Sequence, residues 1–136
     1  METVLIADDE INIREGLKNI IDWNELGFEV CAEAANGEEA LCLILDKKPS
    51  LVLLDIRMPK IYGTDLIRMA RERGFQGRFI ILSGYSDFTY AQTAIQYGVD
   101  FYITKPIDED ELQLAICKIK KELDEEHAVS ENMELL

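Results

Sequence analysis

Five side chains with the chemistry to bind a phosphoryl group stand at the ends of short apolar runs. Asp8 and Asp9 follow the run VLIA, and Asp55 follows LVLL. Ser83 and Lys105 stand at the ends of two later runs. Three carboxylates brought together repel one another, so at neutral pH they need a cation or raised pKa values. Carboxylate oxygens with room for water favour magnesium (Mg²⁺).

These residue types fit phosphoryl transfer. A carboxylate can accept a phosphoryl group covalently. A divalent cation and a lysine neutralise charge on the oxygens of the transferring group, and a hydroxyl can hydrogen-bond to them. Each residue alone also has an ordinary explanation as a solvated loop residue or a helix cap. Because four different apolar runs each end in a suitable group, the sequence favours the chemical interpretation.

The apolar runs alternate five times with segments of helical periodicity. They are hydrophobic at consecutive positions, as strands buried on both faces are, and they span residues 4–7, 28–32, 51–54, 79–82 and 101–103. Five βα units of about 25 residues predict an α/β fold with a parallel sheet, right-handed crossovers and helices on both faces. Ligands of such sheets bind at the carboxyl ends of the strands.

The ends of several helices carry capping residues. Asn36 precedes the second helical segment and Asp108 the last, each with a glutamate three residues later. Gly74 and Gly98 are predicted to follow the third and fourth helices. The helical pattern ends near residue 124. Residues 1–124 are therefore predicted to form one domain and residues 125–136 a tail or the start of a linker.

Composition narrows the class of protein. The chain has 136 residues, 48% of them hydrophobic and 30% charged, which suits one globular domain. The net charge of −13 argues against direct binding to nucleic acid or to an anionic membrane. Cys31, Cys42 and Cys117 form no CxxC pair, and His127 is the single histidine. With no recognisable signal peptide or spanning segment, these features predict a reducing, cytoplasmic location and no zinc site.

The residues at the strand ends resemble the receiver domain of two-component response regulators. The resemblance covers residues 3 to about 123 and rests on the segments LIADDE, LVLLDIRMP, ILSGY and YITKP. It implies the flavodoxin-like receiver fold, a five-stranded doubly wound sheet of order 2-1-3-4-5. It also implies a signalling function, in which a sensor histidine kinase donates a phosphoryl group and the changed conformation controls an output.

The resemblance also implies a role for each matching residue. Asp55 is the phosphoacceptor and, together with Asp9, a direct ligand of Mg²⁺. Asp8 binds the ion largely through water, and the backbone carbonyl of Arg57 completes the protein ligands. The domain catalyses only its own phosphorylation and dephosphorylation, and is otherwise not an enzyme.

The implied switch involves three further residues. After phosphorylation, Ser83 hydrogen-bonds to the phosphoryl group and Lys105 pairs with it. Ser83 moves towards the group, and Tyr102 rotates into the space that Ser83 leaves. The peptide bond between Lys105 and Pro106 is expected to be cis.

An output surface is implied as well. It consists of the fourth predicted helix, the fifth strand and the fifth helix, with Tyr90, Tyr97 and Tyr102 on or near it. Aromatic residues suit a partner surface, and two copies of the domain could pair through it as a homodimer. Packing at the edge of the core explains each tyrosine equally well.

Three residues are predicted to tune the lifetime of the phosphoryl group. Arg57 stands two residues after the acceptor, where many relatives have a smaller or uncharged residue. We consider an ion pair between Glu10 and Arg57 across the mouth of the site, with two solvated side chains as the alternative. Tyr85, two residues after Ser83, is bulky enough to hinder attack by water. Together they predict a long-lived phosphoryl group.

Two segments narrow the resemblance further. Residues 21–28, IDWNELGF, and residues 84–88, GYSDF, are similar to receivers fused to AraC-type helix-turn-helix DNA-binding domains. Hydrophobic packing of Trp23, Leu26 and Phe28 at a helix end is the simpler explanation. No second domain fits after residue 124, so the chain is interpreted as an excised or stand-alone receiver whose output, transcription, would need a DNA-binding domain elsewhere.

Three other functions match part of this pattern. A phosphohydrolase of the haloacid-dehalogenase type needs a second aspartate two residues after the first, where this chain has Arg57. A flavodoxin-like module needs a phosphate loop rich in Ser, Thr and Gly after the first strand, where this chain has Asp8, Asp9 and Glu10. A pseudo-receiver that takes no phosphate is hard to reconcile with a complete set of acids, serine and lysine.

Overall fold

Five parallel strands form one sheet in the order β2-β1-β3-β4-β5, as predicted. The computed structural model describes residues 1–84 and 96–135, with side chains described up to residue 129. The strands are β1 (Glu2–Ala7), β2 (Phe28–Ala34), β3 (Leu51–Asp55), β4 (Arg78–Ser83) and β5 (Phe101–Thr104). Each contains its predicted apolar run and extends it by one or two residues, because backbone pairing continues into neighbouring polar residues.

Helices cover both faces of the sheet. The described helices are α1 (Ile11–Ile20), α2 (Gly37–Lys47), α3 (Gly63–Glu72) and α4 (Glu109–Leu135). One core cluster joins α2 and α3 to the sheet, and a second joins α1 and α4 to the opposite face. The central strand β3 is buried along its whole length, which explains its unbroken apolar sequence.

The predicted caps are present at the helix ends. The Asn36 side chain accepts a hydrogen bond from the Glu39 N–H at 2.8 Å, and Asp108 accepts one from the Asp110 N–H at 2.8 Å. Gly74, which follows α3, has a left-handed backbone with φ of 90°. Gly98 also has a positive φ, of 80°, but its role as the end of the fourth predicted helix stays a prediction. Most of the fourth predicted helix, which is expected to start near Ser86 and to end at Gly98, lies outside the described part of the chain, and so does Tyr90.

The last helix is longer than its apolar pattern. Although residues 125–136 were predicted to be a tail or linker, α4 continues through them to Leu135. Its last buried side chain is Leu123, and the described side chains of residues 124–129 are exposed. The helix therefore leaves the core where the apolar stripe ends, and the domain boundary at residue 124 stays a prediction. None of the four described helices combines the length and the apolar character needed to cross a bilayer.

Candidate functional site

The strand ends bring the predicted residues to one edge of the sheet. β1 and β3 are neighbours, with Ala7 paired to Leu54, so Asp8 and Asp55 follow at adjacent positions. On the other side, β4 pairs with both β3 and β5. This topology places Ser83 and Lys105 at the same carboxyl edge as the acids.

Asp8, Asp9 and Asp55 form a cluster of carboxylates. Each offers one oxygen, and these oxygens lie within 4.8 Å of one another. Asp8 and Asp55 are buried, whereas Asp9 is exposed to solvent. An all-oxygen set with one open side fits Mg²⁺, which keeps several waters when it binds to proteins.

Lys105 lies between the two buried acids. Its Nζ atom is 3.4 Å from Oδ2 of Asp8 and 3.4 Å from Oδ2 of Asp55. The bond between Lys105 and Pro106 is cis, as predicted. The Lys105 N–H donates to the Ser83 carbonyl at 2.7 Å, which joins the ends of β5 and β4.

The pKa values reflect crowding of negative charge. Burial raises the pKa of Asp55, and the charge of Asp8 raises it further, to about 6, although Lys105 opposes both effects. Burial likewise raises the pKa of Asp8. Burial acts to lower the pKa of Lys105, but the charges of Asp55 and Asp8 outweigh it and raise that pKa. One lysine therefore does not neutralise the cluster, and a further cation is favoured.

Ser83 and Tyr102 are in direct contact. Ser83 is fully buried, and its hydroxyl is hydrogen-bonded to the hydroxyl of Tyr102. Tyr102 is half-buried and packs against the core cluster on the α2 and α3 face. Sequence reasoning placed the two residues near each other, but it did not anticipate that they would share a hydrogen bond.

The structure describes two of the three residues that were predicted to tune the lifetime of the phosphoryl group. Glu10 and Arg57 are both exposed, and the ion pairs found among the described residues do not join these two, so their role in tuning stays a prediction. Arg57 lines a cleft of about 350 Å³ beside Asp9. Tyr85 lies outside the described residues, so the phosphoryl lifetime stays a prediction.

Two glycines allow the loop after β3 to approach the helices closely. A Cβ atom on Gly37 would lie 2.2 Å from the carbonyl oxygen of Ile61, and one on Gly63 would lie 2.8 Å from the Cα of Ile56. The Gly63 N–H donates to the Ile56 carbonyl at 2.8 Å. The starts of α2 and α3 thus support the loop that carries Arg57.

Trp23 has a packing role. Its side chain is buried, its indole N–H donates to the Leu17 carbonyl at 3.1 Å, and its ring meets Phe28 edge-on with 6.3 Å between centroids. The simpler explanation of the segment IDWNELGF, hydrophobic packing at a helix end, is therefore confirmed.

Sequence reasoning missed Arg14. Its Nη1 atom donates to the backbone carbonyl of Asp8 at 2.6 Å, and its Nε atom pairs with Glu33 at 3.2 Å. A signal was available, because the N-terminal end of a helix disfavours cations, yet α1 has Arg14 in its first four residues and no acid in its first turn. A cation there indicates a partner outside the helix.

Comparisons with known proteins identify the family to which the chain is similar. The family described as the response regulator receiver domain matches residues 4–117. The transcriptional regulatory protein HptR of Staphylococcus aureus is 41% identical over 128 residues, covering 94% of this chain and 50% of HptR. The chain spans a third to a half of the length of curated relatives that it matches.

Two solved structures are similar throughout. The REC domain of AraT, a response regulator from Geobacillus stearothermophilus, has a TM-score of 0.87 and 44% identity, with 93% of this chain and 98% of that chain covered. A two component transcriptional regulator AraC from Clostridium phytofermentans ISDg has a TM-score of 0.81 and 33% identity, with 89% and 94% covered. The resemblance stated from the sequence motifs, including its AraC-type branch, is confirmed.

Proposed function

Because the chain belongs to the response regulator receiver domain family, we propose that Asp55 accepts a phosphoryl group from a phosphohistidine of a sensor histidine kinase. The observation that carries this proposal is the meeting of Asp8, Asp9 and Asp55 within 4.8 Å at one sheet edge, with Lys105 against the two buried acids. Burying a carboxyl group among like charges lowers the stability of the fold. We therefore infer that Asp55 is retained at this position for its reaction.

The transfer itself is a displacement at phosphorus. An oxygen of the Asp55 carboxylate attacks the phosphorus, an O–P bond forms, and the P–N bond of the phosphohistidine breaks. The electron pair of that bond stays on the imidazole nitrogen of the kinase. Lys105, now 3.4 Å from Asp55, pairs with an oxygen of the transferred group, so its charge stays close to the negative charge throughout.

Asp8, Asp9, Asp55 and the Arg57 carbonyl would hold Mg²⁺. Their oxygens are the hard donors that this ion requires. When bound, the ion supplies positive charge against the oxygens of the transferring group. Asp8 and Asp55 are held in place by backbone groups, since Asp8 accepts from the Glu10 N–H at 2.9 Å and Asp55 accepts from the Arg57 N–H at 3.3 Å.

Ser83 and Tyr102 would convert phosphorylation into a conformational change. The new group adds close to two negative charges and three strong acceptors. A serine hydroxyl has a single proton, so Ser83 cannot donate it both to the phosphoryl group and to Tyr102. When that proton turns to the phosphoryl group, Tyr102 can keep its contact with Ser83 only by donating its own proton. We therefore expect a movement of Ser83 towards the phosphoryl group to displace Tyr102 on β5.

The output of this switch is expected to be transcription. HptR is named a transcriptional regulatory protein, and this chain corresponds to half of its length. We infer that a DNA-binding domain outside this chain reads the switch, because a charge of −13 disfavours DNA binding by the receiver itself. A homodimer through the fourth predicted helix, β5 and α4, which is the fifth predicted helix, stays part of this proposal.

Phosphorylation with a small acyl phosphate and Mg²⁺ tests the acceptor. We expect intact-mass spectrometry to show one added phosphoryl group on the wild-type chain and none on Asp55→Asn. Asp65→Asn, which alters an exposed carboxylate on α3, is the matched control and should be phosphorylated like the wild type.

Three outcomes would count against the assignment. Equal labelling of Asp55→Asn would place the acceptor elsewhere, and an unlabelled wild type would favour a pseudo-receiver. Repeated turnover of a chromogenic phosphoester would favour the phosphohydrolase alternative.

A further inference from the structure

We propose that Arg14 is a positioning residue for the metal site, because it fixes the backbone of the loop that carries Asp8 and Asp9. The inference rests on the proposed function, since it concerns the affinity of the acidic cluster for Mg²⁺. The described contacts of Arg14 are with Glu33 and with the backbone of Asp8, and not with the Asp55 carboxylate. Arg14 acts through the Asp8 carbonyl.

The contacts of Arg14 cross three elements. The side chain starts on α1, its Nη1 atom donates to the Asp8 carbonyl at 2.6 Å, and its Nε atom pairs with Glu33 of β2 at 3.2 Å. It is 13% exposed, whereas Glu33 is 32% exposed. A planar guanidinium with two fixed N–H directions holds both partners in a defined relative orientation.

The Asp8 carbonyl is a point where the loop needs support. β1 ends at Ala7, and the loop turns there into α1. The Asp8 N–H still donates to the Ala34 carbonyl of β2 at 3.0 Å, so β2 holds one side of the Asp8 backbone directly and the other through Glu33 and Arg14. Because the N–H and the carbonyl of Asp8 are both hydrogen-bonded, the stretch of backbone that carries the carboxylates of Asp8 and Asp9 is held in place.

Glu33 is itself held by a second cation. Lys18, one turn further along α1, lies 2.8 Å from Glu33 and 2.9 Å from Glu15. Lys18 has no described contact with the Asp8 loop. It is therefore a natural control for Arg14, because both side chains start on the same helix and pair with the same carboxylate, but only one reaches the loop.

Charge and positioning predict opposite results when Arg14 is removed. A cation close to a cation site weakens metal binding by repulsion, so loss of the charge alone would strengthen the binding of Mg²⁺. Loss of a group that orients metal ligands weakens binding, typically by 10–100-fold. The direction of the change therefore distinguishes the two roles without measuring phosphorylation.

The experiment measures binding of Mg²⁺ alone by isothermal titration calorimetry. We expect Arg14→Met to weaken binding about tenfold, and Arg14→Lys to weaken it as well, because an ammonium keeps the charge without the fork. Lys18→Met should bind as the wild type does or slightly more tightly. In metal-free protein, Arg14→Met should also exchange the amide hydrogens of residues 8–10 faster than Lys18→Met does.

Failure of the inference and failure of the proposed function look different. If Arg14→Met binds Mg²⁺ as tightly as the wild type or more tightly, or if Lys18→Met weakens binding equally, Arg14 has no positioning role. If the wild type binds no Mg²⁺, the proposed function itself is wrong. Should Arg14→Met fail to fold, Glu33→Gln keeps the guanidinium but loosens its anchor, and unchanged affinity relative to Lys18→Met would overturn the inference.

Discussion

At Asp55, burial and the charge of Asp8 act together to raise the pKa of the carboxyl to about 6. An unfolded chain would titrate this group near pH 4. Between these values the folded protein binds more protons than the unfolded chain does, so its stability falls as the pH rises through this window. Above about pH 6 the folded protein carries the whole cost of an ionised, crowded acceptor.

This cost predicts a pH-dependent effect of neutralising the acceptor. In EDTA, Asp55→Asn should raise the free energy of unfolding at pH 7.5 by about 1–3 kcal/mol, and the gain should shrink steadily as the pH falls towards 4.5. Urea unfolding followed by the fluorescence of Trp23, the single tryptophan, measures it. Asp65→Asn, at an exposed site, should show no such gain, and a gain at Asp55 that is independent of pH would contradict the linkage.

Between β3 and α3, the position of the loop depends on helices that start with glycine. A side chain at Gly37 would meet the backbone of Ile61 at 2.2 Å, and backbone atoms cannot move aside as a flexible side chain can. The loop also carries the Arg57 carbonyl, so a displacement there would reach the metal ligands. The position of the loop after β3 therefore depends on its packing against the starts of α2 and α3.

Gly37→Ala should therefore destabilise the protein by about 1–3 kcal/mol and weaken the binding of Mg²⁺. Gly16→Ala is the matched control, because Gly16 lies within α1 and a Cβ atom added there would meet no atom within 4 Å. That substitution should stabilise the protein by about 0.5–1 kcal/mol. Thermal and urea unfolding with parallel calorimetry would measure both effects, and a neutral Gly37→Ala would show that the loop has room to move.

The elements were easier to predict than the contacts between them. Strands such as β3 are buried on both faces, so they need apolar residues at consecutive positions, and this run is visible in the sequence. The contact from Arg14 to the Asp8 carbonyl leaves no periodic pattern, because it depends on the path of a loop. The bond between Ser83 and Tyr102 likewise depends on side-chain rotamers across two strands. The length of α4 was missed because the described side chains beyond Leu123, those of residues 124–129, are exposed and leave no apolar pattern.

Across the whole molecule, ion pairs attach the exposed part of α4 to the sheet. Arg78 of β4 pairs with Asp100 at 2.9 Å and with Glu122 of α4 at 2.6 Å, and it also contacts Glu126. Burial acts to lower the pKa of Arg78, but these carboxylates outweigh it and raise that pKa. On β1, Glu2 lies 2.7 Å from His127. In a chain with a charge of −13, the guanidinium of Arg78 limits the repulsion between helix and sheet.

The attachment bears on where the domain ends. Glu126 and His127 lie beyond Leu123, the last buried side chain of α4, and both are more than half exposed. Exposed pairs contribute about 0–1 kcal/mol each. A chain ending at Asp124 should therefore stay folded, lose only about 1 kcal/mol of stability, and bind Mg²⁺ as tightly as the whole chain, because the acidic cluster lies at the other end of the sheet.

Urea unfolding and calorimetry of the shortened chain would test this boundary. Glu126→Gln combined with His127→Gln in the whole chain is the control, and it should reproduce the same small loss if the contacts of these two side chains account for it. A shortened chain that does not fold, or that loses more than about 3 kcal/mol, would place residues 125–136 inside the domain. The continuous helix would then belong to the receiver itself, and movements at β4 and β5 would reach the output along a rigid element that starts within the core.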